Sequence, residues 1–292
     1  MIGTGAFINR FEMKRISVIV PTCHRPEMLA RCLEKLSDAA EIIVTDDSRD
    51  AATRELVEKT FPHAHWTRGP QRGPAANRNH GARVATGDWL AFVDDDCEPD
   101  AHWLGAIAKT MGDADVIEGK TICPNKRDTP FEEHVENLTG GVLWSCNFAI
   151  RRTSFEHLGG FDEDFPEPGG EDMEFAWRVK RAGYRVVFTP EALVIHPARR
   201  LAWPNFWRRT TWQLRWGVLY RIKTGDRTPI AAGCCSELLR TTVHLATRFD
   251  RSCWRAQFFR QAWKWFTFPL VLPYLAICGA RFRKQLKKRL PS

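Results

Sequence analysis

Between residues 16 and 93, short strand-like runs alternate with segments of helical spacing, and that alternation limits the chain to a small set of folds. Ile16 to Val20 is a β-branched run closed by Pro21, as suits a strand buried on both faces of a parallel sheet. Pro26 opens a helical stretch through Met28, Leu29, Cys32, Leu33 and Leu36. Glu41 to Val44, His65 to Arg68 and Trp89 to Val93 read as further strands, separated by helices over Ala51–Lys59 and Pro74–Ala85. The pattern predicts βαβ units and an α/β fold, in which ligands gather beyond the carboxyl ends of the strands. After about residue 115 it becomes mixed. Val116–Ile122, Val142–Ile150, Arg185–Phe188 and Ala192–His196 read as strands, and Glu171–Ala182 as a helix closed by Gly183.

The segments at the carboxyl ends of these strands are polar and acidic. Pro21-Thr22-Cys23-His24-Arg25 comes after the first, Thr45-Asp46-Asp47-Ser48 after the second and Asp94-Asp95-Asp96 after the fourth. Three adjacent carboxylates repel one another unless a cation neutralises them, and hard oxygen ligands select Mg²⁺ or Mn²⁺. The bland alternative is a solvated acidic loop. Asp172 lies at the start of a helix and shares a face with Phe175, Ala176 and Val179. A carboxylate held there can serve as a general base, or simply as an N-terminal acid stabilised by the helix dipole. Burial raises and the dipole lowers its pKa. Arg78, in Gly73-Pro74-Ala75-Ala76-Asn77-Arg78-Asn79-His80-Gly81, sits near a helix start suited to a diphosphate.

In order, VIVPTCHR, IIVTDDS, GPAANRNHGARVATGDWLAFVDDD, SCNFAIRR, GGFDE, GGEDMEFAWRVKRAGY and VIHP resemble family 2 glycosyltransferases of the GT-A fold, a Rossmann-like mixed sheet with flanking helices. The resemblance spans residues 16–197. It implies that Pro21, Thr22, Arg25 and Asp46 or Asp47 hold the base and ribose of a nucleotide diphosphate sugar, with uridine diphosphate favoured. The glycine usual between the paired acids and Ser48 is missing, which leaves open which acid faces the nucleotide. It also implies that Arg78 lies near the base or diphosphate, that Asp94 and Asp95 serve the donor, and that Asp96, Asp94 and His196 hold the metal. Asp172 matches the catalytic base, with Glu171 beside it. Asn147, Gly160, Phe161 and Asp162 fall on the acceptor side. The implied reaction is an inverting single displacement onto a glycan or lipid-linked hydroxyl. His196, taken alone, is more often a satisfied structural histidine at a strand end.

Charge divides the chain. Residues 1–196 hold 23 Lys and Arg against 32 Asp and Glu, whereas 197–292 hold 20 against 3. Seven of the twelve tryptophans fall in that basic part, which favours an anionic membrane surface because indole prefers the headgroup layer. Trp203, Phe206, Trp207, Trp212, Trp216 and then Phe258, Phe259, Trp263 and Phe266 recur at helical spacing among arginines, as in interfacial helices. The alternative is that these stripes pack on protein. Trp265 to Ala280 lacks charge but is interrupted by Pro269 and Pro273, and at 16 residues falls short of the roughly 20 needed to span a bilayer, so it reads as dipping into one leaflet or packing in a re-entrant way. Six basic residues, from Arg281 to Arg289, come directly after it.

The expected organisation is therefore a disordered segment over 1–13, a GT-A domain over 14–197 and a helical, basic, membrane-associating region over 198–292. Nine cysteines without a C-x-x-C pair give neither a zinc pattern nor a disulfide framework, which points to a reducing cytosol. The expected location is the inner face of the membrane, held peripherally, and a homo-oligomer is compatible with this. Two rivals differ in class. A sugar nucleotidyltransferase calls for a glycine-rich basic loop after the first strand, and PTCHRPE is a poor fit. A nucleic-acid binder led by the basic tail leaves the ordered acidic motifs unexplained, so no nucleic-acid partner is expected.

Overall fold

The computed structural model describes residues 16–36, 41–124, 126–165, 167–226, 228–247 and 254–289. The expectation for residues 1–13 lies outside them. The chain divides into two compact units: 1–124 with 135–197, and 125–134 with 198–292.

The first unit is built on an eight-stranded sheet in the order β3-β2-β1-β4-β8-β6-β9-β5. Strands β1 (Ile16–Thr22), β2 (Glu41–Asp46), β3 (Ala64–Arg68) and β4 (Trp89–Phe92) run parallel. Helices α1 (Pro26–Glu34), α2 (Ala52–Thr60) and α3 (Pro74–Val84) connect them. Every residue of β1 is buried, as its apolar run requires. Helices α1 and α3 each begin at a proline, whose fixed φ suits the first helical position. Gly81 lets α3 lie on the sheet, since a Cβ there would come within 2.6 Å of Ile19.

Beyond β4 the sheet becomes mixed. Strand β5 (Glu98–Pro99) and helix α4 (Trp103–Thr110) precede β6 (Val116–Ile122), and β8 (Phe148–Arg151) runs antiparallel to both β4 and β6. Helices α5 (Arg152–His157) and α6 (Glu171–Arg181) lead to β9 (Val186–Ile195), which pairs parallel with β6.

Two strand expectations are corrected. The run Val142–Ile150 is strand only from Phe148, because the N–H groups of Gly141, Val142 and Leu143 are spent on the buried carboxylate of Glu118 at 2.6 to 2.8 Å. The two short strands expected after Tyr184 are one. Its register against β6 slips from Gly119↔Thr189 to Lys120↔Leu193, and the slack is taken up at Pro190 to Ala192.

The second unit joins a two-stranded ribbon, β7 (Glu132–Glu133) with β10 (Arg199–Arg200), to helices α7 (Trp203–Lys223), α8 (Ile230–Thr247) and α9 (Trp254–Arg289). Its core is Val218, Cys234, Leu238, Phe268, Val271 and Leu275. Residues 125–134 were expected inside the first domain. They belong here because Asp128 accepts the Ala256 N–H at 2.7 Å, Arg260 donates to the Pro130 and Glu132 carbonyls, and Glu133 pairs with Arg209. Helix α9 runs unbroken through Pro269 and Pro273, so the expected interruption there does not occur. By length and composition alone, Trp254–Leu286 could cross a membrane. The aromatic residues are divided. Phe206 is buried against Phe131, Trp203 and Trp263, while Phe258, Phe266 and Leu270 are 68, 69 and 68% exposed.

Candidate active site

The ends of β1, β2 and β4 converge through their side chains. Thr22 donates its hydroxyl to Asp95 Oδ2 at 2.6 Å, and Arg25 spans Asp95 Oδ1 at 2.6 Å and Asp96 Oδ2 at 2.9 Å. Burial pushes the Asp95 carboxyl up to about 7 against the pull of Arg25, and repulsion from Asp96 and Asp94 adds to the rise. Asn77, on α3, donates to the Thr22 and Thr45 carbonyls and so ties β1 to β2.

The two acids after β2 separate in role. Asp46 is buried, with Oδ1 on the Ser48 N–H and Oδ2 on the Trp66 indole N–H. Asp47 is half-buried, accepts the Gln71 N–H, and has its pKa raised by burial. Pro21 and Thr22 are both buried.

Arg78 joins the strand ends to α6. Its side chain is 6% exposed, and its guanidinium meets Asp94 Oδ1 at 2.6 Å and Glu171 Oε1 at 3.1 Å. Burial works to lower its pKa, but Asp94, Glu171 and Asp172 outweigh that and hold it above the ordinary value. Glu171, also bonded by the Gly169 N–H, is pushed up to about 8 by burial and by Asp172. The Asp172 carboxyl is raised as well, by burial first, with Arg78 and Ser145 opposing. Its Oδ1 is buried and has no hydrogen-bond partner among the described residues. A buried acceptor left open this way is costly unless a donor arrives to meet it.

Among the described residues, those placed to hold a cation differ by one from the set the sequence implied. The ligand atoms of Asp96, Cys97 and His196 lie within 4.8 Å of one another. Asp94 is not in that group, and its Oδ1 is paired with Arg78. His196 is buried and places Nε2 3.7 Å from Asp96 Oδ1, a separation that a divalent ion can bridge with two ordinary bonds. The donor set therefore fits a metal.

Two residues expected on the acceptor side are buried. Asn147 is buried, accepts the Trp103 indole N–H at 2.8 Å and donates to the Lys120 and Ala192 carbonyls. Phe161 is buried against Phe92, Phe148, Phe155 and Phe175. Gly160 is buried at φ +73, and a Cβ there would come within 2.6 Å of Asn79 Oδ1. Asp162 is partly exposed and accepts the Asp164 N–H.

Sequence reasoning passed over Asn77, Asn79, Ser145 and Cys97. Asn79 exchanges two hydrogen bonds with the backbone of Phe161, at 2.8 and 2.9 Å, and so fixes the loop before α6. The signal available was the N-R-N triplet. With helical spacing it sets Asn77 and Asn79 on either side of Arg78.

Comparison with known proteins agrees with this arrangement. The family model described as glycosyl transferase family 2 matches residues 17–159, and the one described as the N-terminal domain of galactosyltransferase matches residues 130–197. The succinoglycan biosynthesis protein ExoM of Rhizobium meliloti is 30% identical over 220 residues, which is 66% of this chain and 71% of that protein. The pre-mycofactocin glycosyltransferase of Mycobacterium tuberculosis is 27% identical over 211 residues, 63% of this chain. The chain spans less than half of that relative, 43% of its length. Mannosyltransferase PcManGT of Pyrobaculum calidifontis, solved with GDP-Man and Mn²⁺, shares the fold at a TM-score of 0.54 and 17% identity, covering 92% of this chain and 86% of that one. S. aureus TarS, solved with UDP-GlcNAc, does so at 0.56 and 21%, covering 81 and 74%. With the motifs in order on a mixed sheet of GT-A type, and with ExoM matched over most of its length, the chain belongs to glycosyltransferase family 2.

Proposed function

We propose that this protein moves a sugar from a nucleotide diphosphate donor, a uridine diphosphate sugar by preference, to a hydroxyl of a glycan or lipid-linked acceptor, with inversion at the anomeric carbon. The observation that carries the reading is the open, buried Oδ1 of Asp172 beside the Arg78–Asp94 pair. It offers an acceptor atom for a hydroxyl proton at the point where α6 meets the strand ends. In the displacement, Asp172 takes that proton as the acceptor oxygen attacks. Glu171 and Asp94 fix Arg78, whose cation faces the developing negative charge.

Asp96 and His196 would hold Mg²⁺ or Mn²⁺, which supplies neutralisation of a departing diphosphate. Asp47, half-buried where Asp46 is sealed, is the better acid for the nucleotide base or ribose. The relatives solved with GDP-Man and with UDP-GlcNAc support a nucleotide sugar while differing in base. The second unit, basic and tryptophan-rich, favours peripheral attachment to the inner face of a membrane.

The test pairs two variants against a panel of nucleotide sugars. Asp172→Asn is expected to abolish transfer and leave donor affinity near wild type. Asp96→Ala is expected to lose Mn²⁺-dependent thermal protection together with activity. Released nucleoside diphosphate, rather than pyrophosphate, marks transfer. Equal loss of donor affinity in both variants sinks the separate roles.

A further inference from the structure

The turn after β4 brings a sulfur ligand to the cation corner. Cys97 donates its backbone N–H to the Asp94 carbonyl at 3.1 Å, which folds the chain back on itself. The same turn leaves Cys97 Sγ 3.9 Å from Asp96 Oδ1. His196 arrives from the end of β9, where its backbone N–H is held by the Ile122 carbonyl at 2.9 Å.

The imidazole is oriented as well as placed. Its Nδ1 lies 3.0 Å from the Pro197 carbonyl, which can only accept, so Nδ1 carries the proton. In the neutral ring, Nε2 then turns a lone pair toward Asp96 Oδ1, 3.7 Å away. A cation between them takes a lone pair from each and displaces the Cys97 thiol proton that Asp96 Oδ1 otherwise accepts. Cys97 and His196 are 1 and 3% exposed, which leaves Asp96 as the member open to solvent. Cys146 is hydrogen-bonded to Cys97.

We propose that Asp96, Cys97 and His196 form a site for a thiophilic divalent cation, Zn²⁺, and that this ion competes with Mg²⁺ or Mn²⁺ for the same aspartate. The proposal rests on the metal reading of Asp96 and His196 given above. Sulfur, imidazole nitrogen and carboxylate oxygen are the three donor types Zn²⁺ takes, at about 2.0–2.3 Å, and a water completes its four-coordinate shell. A thiolate selects Zn²⁺ over hard cations, which are content with oxygen and nitrogen alone. Binding forms one Zn–S bond and breaks one S–H bond, and the proton leaves to solvent.

The test uses the full chain stripped of metal with a chelator, and Co²⁺ as a spectroscopic stand-in for Zn²⁺. Wild type and a Cys23→Ser control, which removes the thiol exposed among the described residues, should both show a thiolate-to-cobalt charge-transfer band. Cys97→Ser should lose the band and bind Zn²⁺ at least about tenfold more weakly, while its circular dichroism and its Mn²⁺ affinity by electron paramagnetic resonance stay at wild-type values. Zn²⁺ should expel Mn²⁺ from wild type more readily than from Cys97→Ser. Mn²⁺ binding with no charge-transfer band in wild type overturns the sulfur site and leaves the hard-cation reading standing. A band undiminished in Cys97→Ser also overturns it. Failure of both ions to bind, with Asp96→Ala indistinguishable from wild type, removes the metal reading itself and this inference with it.

Discussion

Arg78 connects elements that lie far apart in the sequence, and its removal should be felt in the fold as well as in the chemistry. Arg78→Ala leaves the Asp94 and Glu171 carboxyls without their shared donor, and a buried polar group stripped of its partner costs about 1–3 kcal/mol, measurable as a lower urea midpoint. Glu171 gives a second residue-level test. Its folded pKa, about 8, lies above the ordinary value of a glutamate, so the folded state holds the proton more tightly than the unfolded chain does. That contribution is favourable below the ordinary carboxylate range and is lost as pH rises toward 8. Metal-free wild type should lose stability between about pH 5 and 8.5, and Glu171→Gln should flatten that slope. Equal slopes would refute the assignment. At this scale the sequence was legible in the placement of the acids: Asp94 to Asp96 lie at the end of β4, with Asp94 joined through Arg78 to the start of α6 and Asp96 facing His196. It was silent on Asn79, Ser145 and Cys97, because a neutral side chain acquires its role only from a partner that topology brings to it. The burial of Phe161 and Asn147 was not legible either, because adjacency in a motif does not say which side of the loop faces the core.

The strands and helices up to β4 were readable because burial on both faces leaves near-continuous apolar runs. The stretch Val142 to Asn147 carries the same signal and is not strand, since its N–H groups turn to Glu118 instead of to a neighbouring strand. No local pattern announces a carboxylate 23 or more residues upstream. Glu118→Ala would leave three backbone N–H groups and the Asn137 amide without their acceptor. The expected loss is about 3 kcal/mol or more, read by thermal or urea denaturation. Helix α9 erred in the other direction. Pro269 and Pro273 read as interruptions, yet each removes only one N–H donor, and packing of Phe268, Val271 and Leu275 into the core of the second unit carries the helix through.

For the whole molecule, the charge division that was visible at once corresponds to two units, with Phe258, Phe266 and Leu270 exposed on the basic one. Attachment to anionic lipid predicts co-sedimentation with phosphatidylglycerol vesicles that weakens as salt rises. Phe266→Glu with Leu270→Glu should reduce it at least about tenfold without changing the helical content, since both side chains are exposed. Binding unchanged by salt and by these substitutions would remove the membrane reading. The ten residues 125–134 have a consequence for synthesis. They leave the ribosome long before the chain they bind: Glu132 waits 128 residues for the guanidinium of Arg260. During that wait the strands on either side can already pair, while the loop between them hangs open for its mate. A protein shortened after Pro197 would keep that loop for good with nothing to close it, so a soluble catalytic fragment calls for excising 125–134 as well.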